Sequence, residues 1–165
     1  MSLKTTLAQF ALTFAAIVPQ AAFAQQFAPP EELPISGSCV VSLGASPYKK
    51  EACTLSTDAT TVPNGFLMVI EHVSAACSTT PERGIYTLAL ITQTSAEGPN
   101  RTMHIPAAVQ AATREQVRLT GGQIVRAYAG SSTPVELLVS TFESAPAGFT
   151  ACDVTFSGIL RRINQ

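Results

Sequence analysis

Apolar residues in this chain recur at every second position, in runs that glycine or proline cuts short. Ile35, Gly37, Cys39, Val41 and Leu43 alternate with Ser36, Ser38, Val40 and Ser42. That period of two is the signature of a strand with one buried and one solvated face. Pro63-Asn64-Gly65 then reads as a turn, since glycine takes the positive φ that a tight turn needs. The run 66–76 that follows is apolar on both faces, which predicts a central strand or one that carries part of an interface. Further strands are expected over 85–94, 101–105, 123–129, 135–139 and 150–160. Breaks are expected at Pro81, Glu97-Gly98-Pro99-Asn100, Pro106, Gly121-Gly122 and Gly130 to Pro134. The segment 44–59 reads as a loop insertion. The alanine-rich segment 107–117 is consistent with a helical turn or two, or with an irregular strand.

About seven or eight short strands without strand–helix alternation exclude a parallel α/β sheet. The pattern predicts an all-β chain folded as an antiparallel β-sandwich. With no tryptophan to pack on a disulfide in the immunoglobulin manner, the expectation leans to a jelly-roll-like arrangement.

The N-terminus reads as an export signal. Met1-Ser2-Leu3-Lys4 supplies one positive charge, 7–18 is mostly apolar, and Ala22-Phe23-Ala24 offers the small residues that a signal peptidase reads. The apolar run of roughly a dozen residues falls short of the ~20 needed to span a bilayer. The first cysteine, Cys39, lies too far downstream for a lipid anchor. The expected organisation is a signal peptide over 1–24, an extended Gln-, Ala- and Pro-rich lead-in over 25–34, and one β-sandwich domain over 35–165. The domain is destined for the periplasm or the exterior and has no membrane span.

All four cysteines, Cys39, Cys53, Cys77 and Cys152, lie beyond the signal. In an oxidising compartment an even count reads as disulfides, and no Cys-x-x-Cys pair suggests zinc or redox chemistry. Three connectivities are open; the preferred one is Cys39–Cys53 with Cys77–Cys152. The first closes a short insertion, and the second ties the middle of the chain to its last strand.

Charge excludes one class of partner. Charged residues make up 13% of the chain, against a usual share of about 25%. Removal of Lys4 with the signal leaves nine basic against eleven acidic residues. No basic field is present to hold nucleic acid.

Three segments resemble a group of small uncharacterised exported bacterial β-sandwich proteins. In the first, Val62-Pro63-Asn64-Gly65-Phe66 leads into Glu71-His72-Val73-Ser74. The others are Val125-Arg126-Ala127-Tyr128-Ala129 and Val154-Thr155-Phe156-Ser157-Gly158-Ile159-Leu160. The resemblance covers about half of the chain beyond the signal. It implies the sandwich fold and export, and it assigns no activity and no catalytic residue.

Candidate chemistry is sparse. Glu71 and His72 are sequence neighbours, so on a regular strand they point to opposite faces and form no acid–base dyad unless a bulge intervenes. His72 is expected on the side of Phe66, Met68 and Ile70. A metal would need His72, His104 and a third ligand such as Glu71 or Asp153, and the spacing does not support one. No Gly-x-Ser-x-Gly motif is present. Tyr48, Tyr86 and Tyr128, with Arg126, are candidates for a sugar-stacking platform. The candidate binding residues are therefore His72, His104, Tyr86, Tyr128 and Arg126, with no catalytic residue, metal or cofactor implied. The expected function is non-enzymatic, a binding or envelope-structural role with a glycan or envelope component as partner. The alternative is a small secreted hydrolase acting on a glycan or envelope polymer.

Overall fold

A computed structural model describes residues 32–142 and 148–163; the signal expected over 1–24 lies outside them. The described residues form ten strands and no helix: β1 (Glu32–Leu43), β2 (Tyr48–Ala52), β3 (Thr54–Leu55), β4 (Phe66–Thr79), β5 (Ile85–Thr92), β6 (Arg101–His104), β7 (Ala107–Ala112), β8 (Val117–Ala129), β9 (Glu136–Thr141) and β10 (Thr150–Arg162).

Two antiparallel sheets stack face to face. One has six strands in the order β3-β1-β10-β4-β8-β7, and the other has four in the order β2-β9-β5-β6. Leaving aside the short edge strands β3 and β7, the partners nest: first with last (β1 with β10), then β2 with β9, β4 with β8, and β5 with β6. A long ribbon folded on itself and wound around a core gives this order, which is the jelly-roll topology. As expected of its two-sided apolar start, β4 is central, flanked by β10 and β8.

The count exceeds seven or eight because two segments bend at corners instead of looping. The 44–59 segment contains β2 and β3, and Cys53 is the corner where the chain leaves one sheet for the other. At the opposite edge β6 passes into β7 across Ile105 and Pro106. The alanine-rich stretch is thus a strand, followed by a turn that Thr113 holds through its Oγ1, which accepts from the Gln116 amide at 3.0 Å. Gly121-Gly122 is no turn but lies inside β8. A Cβ on Gly121 would fall on the Pro106 carbonyl oxygen, so this glycine makes room for the corner. At the N-terminus β1 begins at Glu32, inside the expected lead-in. Pro34 is tolerated because the described pairing reaches it only from β10; β3 meets β1 at Gly37 and Ser38. The expected turn at Pro63-Asn64-Gly65 is present, with Gly65 at φ 80° and the Phe66 amide donating to the Pro63 carbonyl.

The core lies between the sheets and is built from inward-facing residues such as Val41, Met68, Ile70, Leu90, Leu137 and Val154, all fully buried. Gly37 leaves a gap in the inner face of β1, and the ring of Phe156, its cross-strand partner on β10, covers it. Both disulfides have the preferred connectivity. Cys77 and Cys152 are direct partners across β4 and β10, and Cys39 on β1 reaches Cys53 at the corner.

The end of the sandwich at which β5 begins is organised by one cation. Arg83 is fully buried. Its Nη1 donates to the carbonyls of Leu43 (3.4 Å), Gly44 and Gly148 (3.0 Å), and its Nη2 donates to that of Ser46 (2.6 Å). One guanidinium fork therefore gathers the β1–β2 connection and the residue two before β10. Thr79 Oγ1 donates to the Arg83 carbonyl at 2.6 Å and lies 2.8 Å from Thr150 Oγ1 on the adjoining strand.

Candidate functional site

The register of β4 slips at Glu71. Ile70 pairs with Gly158 on β10 and Ala127 on β8, whereas His72 pairs with Ser157 and Ile124, and Glu71 pairs with neither neighbour. This bulge overturns the expected facing of His72. Met68 and Ile70 point into the core, but one extra residue turns His72 outward beside Ser74, and Glu71 is exposed as well. The side chains do not converge: Glu71 borders a shallow depression with Ser157 and Gly158 on the β10 side, and His72 lines a different one.

Beyond the bulge the outer face of the six-stranded sheet forms rows across four strands. One row is Ser36, Ser157, His72 and Ile124; the next is Ser38, Thr155, Ser74 and Gly122. Apart from His72 and Ile124 their side chains are small, because the alternation that puts valine and cysteine inward puts serine and threonine outward. Over these rows lies an open depression of about 690 Å³ lined by His72, Ser74, Gly122, Thr155 and Ser157. Ile124 stands at its margin, 82% exposed. The hydroxyls of Ser74, Thr155 and Ser157 and the imidazole of His72 have no hydrogen-bond partner among the described residues. Such a surface can donate and accept hydrogen bonds to a ligand laid flat on it, with one aliphatic contact at the side.

The other candidates are dispersed. His104 lies on β6 in the four-stranded sheet, and its carbonyl accepts from Gln123 Nε2 at 2.7 Å. It is not brought to His72. No group of three potential metal ligands occurs among the described residues. Tyr86 packs edge-on against Phe142, with ring centroids 5.2 Å apart. Tyr48, on β2, and Tyr128, on β8, are parts of different sheets, so the three tyrosines make no single platform. Arg126 and Tyr128 do come together, at a slot of about 410 Å³ between the sheets. They are joined there by Arg101 and Thr92, which sequence reasoning missed. The signal was present: Thr92 and Arg101 flank the Glu97-Gly98-Pro99-Asn100 turn, and antiparallel pairing places them opposite each other.

Comparison of the chain with family models, with curated proteins and with solved structures returns no match.

Proposed function

We propose that this chain is an exported, non-enzymatic jelly-roll protein that binds a polyhydroxylated ligand, a glycan of the cell envelope or its surroundings, on the outer face of the six-stranded sheet. The observation that carries this reading is the pairing of Ile124, a large aliphatic side chain left 82% exposed, with a depression lined by unengaged hydroxyls and an imidazole. An exposed apolar residue rimmed by polar groups suits a ligand with an apolar face and hydroxyls around its edge, as a sugar ring has. Two buried disulfides fit an oxidising, exported environment, and no helix among the described residues is long and apolar enough to cross a membrane. Placement in the periplasm or outside the cell rests on the N-terminal signal and is tested by N-terminal sequencing of the exported protein, which should begin at Gln25. A hydrolase would need His72, His104 and a carboxylate in one cleft, and no observation favours that reading.

The test is a glycan array followed by calorimetry on the hits. Binding that Ser74→Arg and Ile124→Asp each abolish, with an unchanged melting temperature, supports the reading. An array without hits, or hits indifferent to both substitutions, refutes it.

A further inference from the structure

The slot between the sheets has a chemistry that the outer face lacks. It opens between the free edge of β6 and β8, beside the end of β5. Met103, Ala127 and Tyr128 contribute apolar and aromatic surface to its lining, with Arg126 and Tyr128 on the exposed side of β8 and Ala127 on its inner side. Arg101 and Arg126 are exposed at its mouth, and neither guanidinium has a hydrogen-bond or ion-pair partner among the described residues. Glu71 lies across from the Val125-Arg126 step, between the Ile70–Ala127 and His72–Ile124 pairs, and makes no ion pair with Arg126. Thr92 lines the slot although it is only 2% exposed, and its hydroxyl makes no side-chain hydrogen bond among the described residues.

In a chain with a net negative charge, two arginines that line one concavity and have no ion-pair partner among the described residues make a local cationic site. Planar guanidinium forks recognise carboxylates in two-pronged fashion, and each bond is charge-assisted. The volume exceeds what a bare ion fills and falls in the range of small-molecule pockets, about 300–1,000 Å³. The apolar lining and the tyrosine ring require a body on the ligand that can bury an apolar face. We propose that this slot binds a small carboxylate borne on a ring, the carboxylate lying between Arg101 and Arg126, the ring against Tyr128 and Met103, and the Thr92 hydroxyl donating to a polar atom of the ligand. The site is separate from the outer-face reading and stands or falls without it.

The test uses the chain without its signal, both disulfides intact, and isotope-edited NMR. Four probes are titrated at matched ionic strength: benzoate, glucuronate, acetate and glucose. The expected result is saturable shifts of amides in 92–103 and 126–128 with benzoate or glucuronate, at concentrations up to about 10 mM. Which of the two binds more tightly tells an apolar ring from a polyhydroxylated one. Acetate, lacking the ring, should bind at least about tenfold more weakly. Arg101→Gln and Arg126→Gln should each weaken binding about 10- to 100-fold, the loss of one charge-assisted contact. Tyr128→Leu should weaken it less than either. Both arginines are exposed, so an unchanged melting temperature is the folding control. The proposal is overturned if neither ring carboxylate gives localised, saturable shifts. It is also overturned if the Arg101→Gln/Arg126→Gln double variant binds as the parent does, or if glucose binds as well as glucuronate. Ser74→Arg, which fills the outer depression, should leave slot binding unchanged, so failure here is distinguishable from failure of the glycan reading.

Discussion

Arginines at opposite ends of β5 live in opposite ways. Arg83, just before the strand, is sealed from solvent, and its donors serve the carbonyls of Leu43, Gly44, Ser46 and Gly148. Arg101, paired with Thr92 at the far end, and Arg126 nearby are open to water and unengaged by described residues. At the first end a cation substitutes for regular hydrogen bonding, because connections that leave strands carry carbonyls with no ladder to join. At the second end the ladder of β5 and β6 is complete up to its last pair, so the backbone makes no demand on the side chains and their charge remains available to a ligand. Burial with saturated donors marks a structural arginine, and convergence without partners marks a candidate binding one.

Four sets of substitutions bear on that contrast, from the largest expected effect to the smallest. Arg83→Ala strips four carbonyls of their donor and leaves a cavity; it should cost about 5 kcal/mol in urea unfolding. Arg83→Lys, a point charge without the fork, should recover less than half of that. A loss under about 1 kcal/mol for Arg83→Ala would erase the distinction between the two ends. The disulfides come next. On the chain-entropy model, replacing Cys77 and Cys152 together by alanine should cost about 4.5 kcal/mol, and replacing Cys39 and Cys53 about 3 kcal/mol. The order follows from sequence separations of 75 and 14 residues. Equal losses in denaturant melts would mean that strain or residual structure, not loop length, sets the scale. Gly121→Ala pushes a methyl group against the Pro106 carbonyl at the β6–β7 corner and should cost about 2 kcal/mol by the same measurement. Arg101→Gln and Arg126→Gln should change stability by less than about 0.5 kcal/mol, as exposed side chains without partners do. A larger loss would show that the slot arginines support the fold after all.

Period-two patterning and turn chemistry were enough to read the antiparallel sandwich from the sequence, because inward and outward residues separate cleanly along β1, β9 and β10, whereas the jelly-roll winding was favoured only by the lack of a tryptophan. The cysteine pairing was favoured for a different reason, the short insertion between Cys39 and Cys53 and the link from mid-chain to the last strand, and the structure has that pairing. What stayed hidden lies where the period breaks. The bulge at Glu71 adds one residue with no compositional mark, and it alone reverses the facing of His72. Gly121-Gly122 has the composition of a turn, yet its glycine answers to the carbonyl of a segment fifteen residues earlier in the chain. Arg83 sits among Thr80, Pro81, Glu82 and Gly84, a context indistinguishable from a solvated loop, and its burial follows from three connections meeting at one end. Of the candidate site residues, Arg126 and Tyr128 were legible because they lie two apart on one strand, whereas the bearing of Arg101 on them depends on how the two sheets are laid over each other.

The pairing of β1 with β10 along twelve successive residues also sets the order in which the molecule can assemble. A polypeptide emerging from its N-terminus presents β1 first, but the partner that satisfies most of that strand's backbone is the last to appear. Until then the serine-lined and cysteine-bearing sides of β1 are both uncovered, and Cys77 has only Cys39 or Cys53 to meet. Completion is therefore a late, long-range event, slow in the manner of non-local β topologies. A truncation that removes the final strand would leave two neighbouring edges, on β1 and β4, bare at once, and such a fragment should be recovered as aggregate.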